Sequence, residues 1–303
     1  MSLARHFINA ALRLSEKRAL ARVVHPRDLR ASFALKARLL FRAPRGTRFA
    51  RAELGGVPVQ WVSAPGIARE SGPVILYFHG GGYVMGSSDT HRAMLGRLSQ
   101  LSGLAACLPD YRLAPEHPFP AALEDALACH ARLVAHRAGV ILGGDSAGGG
   151  LALALLAEIL RRGMRRPLAL FAFSPLTDLT FSGDSLRENA RADPMLPAGR
   201  VHDLADFYLQ GAAAEDPRAS PLFADFTGAP PVWLTVSDTE ILRDDTRRMA
   251  ARLRAQGVAV SETIAHGLPH VWPFFQGWLP EAMTTLRELA GWLRALAWRS
   301  GDS

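Results

Sequence analysis

Val140-Ile141-Leu142-Gly143-Gly144-Asp145-Ser146-Ala147-Gly148 is the stretch that decides the reading of this chain. Its β-branched start predicts a short buried strand, and the apolar run Leu151–Leu160 that follows predicts a helix. Between them lies Gly-x-Ser-x-Gly, with Ser146 at the centre of a tight strand–turn–helix elbow. Glycines two positions either side of the serine let strand and helix approach without Cβ clashes. Ser146 is then exposed at the carboxyl end of a sheet, above a helix N-terminus that favours developing negative charge. That context makes it a candidate nucleophile.

Working outward, short β-rich runs are expected at 57–62, 74–78, 104–108, 168–173, 232–236 and 258–264. Helical stretches are expected near 89–102, 120–137, 147–162, 241–256 and 281–298. Strands alternating with helices of this length indicate an α/β fold, a mainly parallel sheet covered by helices on both faces. Two stretches break the alternation. Residues 1–42 read as two amphipathic helices separated at His25-Pro26, the first with Leu3, Phe7, Ala10, Ala11 and Leu14 on one face. Residues 180–225 are polar and rich in Pro and Asp. The expected organisation is a helical cap built from 1–50 and 180–225 over a core formed by 51–179 and 226–303.

A second signal, His79-Gly80-Gly81-Gly82-Tyr83, directly follows the run 74–78. Consecutive glycines leave backbone N–H groups open to a substrate oxygen, which acyl transfer through a tetrahedral intermediate requires. His79 sits on this donor loop and is expected to order it rather than to transfer protons. Together with Gly144-Asp-Ser-Ala-Gly, and with Asp110-Tyr111-Arg112-Leu113-Ala114-Pro115-Glu116, these residues resemble the hormone-sensitive-lipase-like carboxylesterases of the α/β-hydrolase superfamily. The resemblance runs from about residue 57 to 298 with the motifs in the family's order. It implies the α/β-hydrolase fold and an oxyanion hole made by the N–H groups of Gly81, Gly82 and Ala147. It further implies hydrolysis of short- to medium-chain acyl esters through an acyl-enzyme on Ser146. Arg112 and Glu116 are expected to pair and hold their loop beside the site.

In the order serine, acid, histidine, the base belongs in a loop after the last strand. His266 and His270 both follow the run 258–264; His270 lies further into the loop and matches the family's position. His91, His117 and His202 are expected to be ordinary surface or cap residues. The acid is expected after the run 232–236, in Ser237-Asp238-Thr239-Glu240-Ile241-Leu242-Arg243-Asp244-Asp245. Aligning Leu242 and Asp244 with the family's pattern puts Glu240 where Asp is usual. Asp238 is the rival, as a residue of the expected type that could also cap a helix, and Asp244 or Asp245 is a third choice. Tyr83, Asp145, Met195, Phe207 and Trp272 are candidate substrate-binding residues.

The chain has 303 residues, 49% hydrophobic and 21% charged, ample for a large core and unlike a disordered or fibrous protein. Cys107 and Cys129 have no metal-ligand spacing and read as buried thiols of a reducing compartment. No metal or cofactor motif is present, no apolar run is long enough for a membrane span, and a cytoplasmic location is expected. The net charge of +7 is uneven: residues 1–51 hold thirteen Lys or Arg against Glu16 and Asp28, while the remainder has 22 basic and 26 acidic residues. No aromatic platform or recognition helix accompanies that basic segment, which excludes a nucleic-acid partner and leaves a solvated basic face or a surface attracting anions. The expected partner is a small-molecule ester; relatives often pair through the sheet edge, so a homodimer stays open. A second class, a small-molecule receptor like the plant gibberellin receptors, resembles this family but lacks the working histidine that His270 supplies here. Lactone or amide hydrolysis would use the same nucleophile.

Overall fold

The computed structural model describes residues 2–22, 24–70, 72–136 and 138–299. The chain begins with three helices, α1 (Leu3–Leu14), α2 (Glu16–Arg22) and α3 (Arg27–Leu40). A hairpin of β1 (Arg48–Leu54) and β2 (Val57–Ser63) follows, then β3 (Val74–Phe78), α4 (Ser88–Ser102), β4 (Ala105–Pro109) and α5 (Ala121–Leu133). Next come β5 (Val140–Asp145), α6 (Ser146–Arg161), β6 (Ala169–Phe173), α7 (Ser185–Glu188) and α8 (Val201–Leu209). The chain closes with β7 (Val232–Ser237), α9 (Arg243–Ala255), β8 (Val260–Ala265) and α10 (Pro280–Arg299).

The eight strands form one sheet in the order β1-β2-β4-β3-β5-β6-β7-β8. β1 pairs with β2, and β2 with β4, antiparallel; every later neighbour is parallel. Residues of β3, β4, β5, β6 and β7 are buried throughout, as central strands covered on both faces require. Period-two alternation divides them between two cores. Val74, Leu76 and Phe78 of β3 join Leu151, Leu155 and Ile159 of α6 on one face. Ile75 and Tyr77 join Met94, Leu95 and Leu98 of α4 and Leu286, Leu289 and Leu293 of α10 on the other. Cys107 and Cys129 are both free and buried, as expected.

Several expectations need correction. β1 was not foreseen, because Arg-Phe-Ala-Arg-Ala-Glu-Leu lacks any buried position; it is an edge strand, exposed or half-buried throughout. Its turn uses Gly55 and Gly56 at φ 62° and 84°, and a Cβ on Gly55 would lie 2.9 Å from the Ala128 carbonyl oxygen. The N-terminal segment makes three helices rather than two, with a break at Ser15 as well as near Pro26. The expected end of the 120–137 helix at Arg137 and the chain ends at 1 and 300–303 lie outside the described residues. Arg112 pairs with Asp125 and Glu124 instead of Glu116, and Glu116 pairs with Arg27 and Arg30. The loop therefore ties to α3, a partner too distant in sequence for local spacing to reveal.

Segments 1–50 and 180–225 meet. The Arg13 guanidinium donates to the carbonyls of Arg191 and Ala192, and Lys17 Nζ donates to those of Ala190 and Asp193 at 2.8 and 2.6 Å.

Candidate active site

Ser146 stands at the junction of β5 and α6 with φ 52°, a left-handed conformation that a non-glycine residue adopts only under constraint. The constraint is visible in its glycines. A Cβ on Gly144 would lie 2.3 Å from the Gly148 carbonyl oxygen, and one on Gly148 would lie 2.1 Å from that of Phe78. Both obstacles are backbone, which cannot rotate away. Gly148→Ala is therefore expected to cost about 3 kcal/mol in stability, measured by urea denaturation, with residual folded protein largely inactive.

The glycine loop is held from below. Asp145 Oδ1 accepts from the Gly80 N–H at 3.0 Å and from the Tyr77 hydroxyl at 2.8 Å, and Oδ2 lies 3.3 Å from His91 Nε2. Burial pushes the Asp145 carboxyl upward, but the His91 charge and hydrogen bonds from His91 and Tyr77 outweigh it and hold it below the usual range. The Tyr111 hydroxyl donates to the His79 carbonyl at 2.6 Å, and the two rings stack at 4.3 Å. His79 Nδ1–H donates to the Gly80 carbonyl at 2.9 Å. Its pKa is pushed down to about 4, first by burial and then by His91, so the ring is neutral and serves the loop as expected. Gly81 and Gly82 take φ of 125° and 62°. Among the described residues no protein acceptor takes the N–H of Gly81, Gly82 or Ala147. For Ala147 that follows from its place in the first turn of α6.

Across the sheet, the loops after β7 and β8 bring Glu240 and His270 together. Glu240 Oε2 lies 2.5 Å from His270 Nδ1, and both side chains are buried. A carboxylate only accepts, so Nδ1 carries the proton and Nε2 is left with its lone pair. Glu240 Oε1 accepts from the Ser174 hydroxyl at 2.9 Å and the Ser237 N–H at 2.7 Å. Burial depresses the His270 pKa, yet the Glu240 charge and hydrogen bond, with lesser help from Asp193 and Asp145, raise it above the ordinary 6.5. Val271 at φ 51° turns the chain directly after the histidine.

The rivals pair with each other. Asp238 is hydrogen-bonded to exposed His266 and accepts the Gly267 N–H at 2.8 Å. Neither Asp238 nor His266 lines the cavity that contains Ser146 and His270. Asp244 accepts from the Ser185 N–H and Asp245 from those of Thr177 and Asp178, so both acids serve loop structure.

That cavity, of about 220 Å³, is lined by α1–α3, the glycine loop, Ser146, His270 and the segment from Met195 to Phe207. Tyr83, Asp145, Met195 and Phe207 lie on its wall. Asp145 does so with a carboxylate already engaged by three partners, and Tyr83 stacks on Tyr208 at 3.8 Å. Trp272 is a correction: it is fully buried, packs with Leu268, Leu279 and Ala282, and donates to Thr285 Oγ1 at 3.0 Å, away from the cavity. His91 is another: it is buried against Asp145 and Thr90 rather than on the surface, whereas His117 and His202 are exposed.

Sequence reasoning missed three positioning residues. Ser174, at φ 46°, ends the strand between the two that carry Ser146 and Glu240. Buried Asp193 accepts from the N–H groups of Met195, Leu196 and Ile241, at 2.8, 2.8 and 3.0 Å. Asn189 Nδ2 donates to the carbonyls of Asp238 and Glu240, at 2.8 and 2.7 Å. Only Ser174 had a signal, its place at the carboxyl end of a central strand.

A family model described as the alpha/beta hydrolase fold matches residues 75–274, two thirds of the chain. The chain belongs to the α/β-hydrolase fold family. An acetyl-hydrolase of Streptomyces hygroscopicus is 34% identical over 244 residues, 80% of this chain and 81% of that one. Crystals of the esterase EstE5 soaked with p-nitrophenyl butyrate give a TM-score of 0.91 at 37% identity, covering 98% of this chain and 99% of that one. An esterase of the bacterial hormone-sensitive lipase family superposes with a TM-score of 0.91 at 35% identity, covering 98% and 99%. Within the α/β-hydrolase family this chain is a hormone-sensitive-lipase-like carboxylic ester hydrolase.

Proposed function

We propose that this α/β-hydrolase is a serine carboxylesterase acting on short- to medium-chain acyl esters, with Ser146 as nucleophile and His270 as general base and acid. The observation that carries the reading is the buried Glu240–His270 pair at 2.5 Å, whose His270 lines the same cavity as Ser146. Nε2 takes the Ser146 proton as Oγ attacks the ester carbonyl, and the imidazolium is stabilised by Glu240. The tetrahedral oxyanion accepts from the N–H groups of Gly81, Gly82 and Ala147. His270 then protonates the leaving alcohol, and water repeats the sequence on the acyl-enzyme. The apolar walls, including Met195 and Phe207, suit the acyl chain, and 1–50 with 180–225 form the cap over a core of 51–179 and 226–303. The acetyl-hydrolase relative and the butyrate soak of EstE5 support small acyl groups. No helix among the described residues is long and apolar enough to cross a membrane, and a cytoplasmic location fits the two free thiols. Pairing of two copies would use the β8 edge, where Ile264 is exposed.

The test is stoichiometric labelling. An alkyl fluorophosphonate should modify one residue per chain, Ser146 in a peptide map, with matching loss of p-nitrophenyl butyrate hydrolysis. Modification elsewhere, or full activity after labelling, would overturn the assignment.

A further inference from the structure

The first helix is apolar on two sides. Its inner stripe, Ala4 and Ile8 with buried Leu12, packs against the body of the protein, the first two against Leu268, Leu279 and Ala282. Its outer stripe of Leu3, Phe7, Ala10, Ala11 and Leu14 faces water, with Leu3 78%, Phe7 75% and Leu14 61% exposed. Fold stability is served by the inner stripe alone, so the outer one is surplus to it. Leu35 and Leu39, one turn apart on α3, are likewise exposed, as is Trp278, whose indole donates to the Leu40 carbonyl at 2.9 Å. Exposed Arg18 and Arg22 lie on α2, which packs against α1, and exposed Arg38 and Arg42 lie on and just after α3; they are part of the surplus of eleven positive charges in residues 1–51.

We propose that the outer faces of α1 and α3 dock the enzyme on an anionic phospholipid surface. An amphipathic helix with bulky apolar side chains outward, followed by helices that carry exposed arginines, has the chemistry of a segment lying in the headgroup plane. Charge selects this occupant. A second copy would bring its own Arg18, Arg22, Arg38 and Arg42 against the first, whereas an anionic bilayer neutralises them while covering the apolar stripe. The same helices, through Leu12, Leu29 and Phe33, line the cavity that holds Ser146. Docking therefore sets the cavity wall against the phase in which apolar esters dissolve.

The experiment is flotation of the full chain with vesicles of equal parts phosphatidylglycerol and phosphatidylcholine, and with phosphatidylcholine alone. Binding is expected to the anionic vesicles and to fall at high salt. L3S/F7S/L14S should weaken it at least ~10-fold, and R18E/R22E by a similar factor at ~5-fold per side chain. Hydrolysis of water-soluble p-nitrophenyl acetate by L3S/F7S/L14S should stay within about twofold, since none of the three lines the cavity. Failure of the wild type to float, or equal flotation of L3S/F7S/L14S, would overturn the proposal. So would a wild-type dimer in light scattering that L3S/F7S/L14S converts to monomer. The inactive S146A protein should float as wild type does, which separates this inference from the assignment of the nucleophile.

Discussion

Ser146→Ala is expected to lower kcat/KM for p-nitrophenyl butyrate by ~10⁴–10⁶, leaving a residue due to the glycine-loop donors and binding alone. The size follows from the proposed mechanism, in which without Oγ no acyl-enzyme would form and the His270 lone pair would have only water to activate. The substitution costs little stability, because Ser146 is half-buried and its backbone carbonyl, not its side chain, takes the Leu176 N–H at 3.0 Å. Removal of one hydroxyl also relieves no strain at φ 52°, since alanine keeps the Cβ. The measurement is initial rates beside circular dichroism and a denaturation curve for both proteins. Activity within tenfold of wild type would mean that another group attacks the ester.

The fold was legible where two periodicities agreed. Central strands β3–β7 are short apolar runs with turn residues on either side, and helices of three to five turns separate most of them, so the parallel sheet followed. β1 was not legible, because an exposed edge strand needs no apolar position; Arg-Phe-Ala-Arg-Ala-Glu-Leu is written for solvent. The N-terminal segment misled in a different way. Leu3, Phe7, Ala10, Ala11 and Leu14 carry the spacing of a core-facing stripe, yet that stripe is outward and Ala4, Ile8 and Leu12 face in. Periodicity reveals that a helix has an apolar side; it does not reveal which of two such sides meets the protein.

The site divides along the same line. Ser146 and the glycine loop are local devices, and Gly81, Gly144 and Gly148 are required because a backbone carbonyl oxygen lies 2.1–2.3 Å from each absent Cβ. Ser174, Asp193 and His91 act between elements that lie far apart in the chain. Their partners Glu240, Ile241 and Asp145 are 66, 48 and 54 residues away. No spacing rule reaches that far. His91 shows the consequence: it reads as one more surface histidine, yet it is buried and holds charged Asp145 beneath the glycine loop.

Glu240→Gln and Asp238→Asn separate the two acids that the sequence left in competition. Each swap keeps the side chain's size and removes one charge. In Glu240→Gln the amide can turn its N–H toward Nδ1, which then must be the acceptor, placing the imidazole proton on Nε2 and removing the lone pair that Ser146 needs. Loss of ~10³–10⁴ in kcat is expected. In Asp238→Asn the disturbed partners are exposed His266 and the Gly267 N–H, and kcat should stay within about threefold. A pH profile adds an independent check. His270 must be neutral to act as base, and the Glu240 charge holds its pKa above 6.5 against burial, so wild-type activity should fall on acidification through a midpoint above that value. Stability linked to the same group has the opposite sense: the ion pair stabilises fully below the unfolded pKa and is lost as pH rises through the folded one. Glu240→Gln should move the His270 midpoint, followed by NMR of the ring, downward, because burial is then opposed only by the lesser charges of Asp193 and Asp145. Asp238→Asn should leave it in place. A large loss in Asp238→Asn with little change in Glu240→Gln would reverse the assignment of the acid.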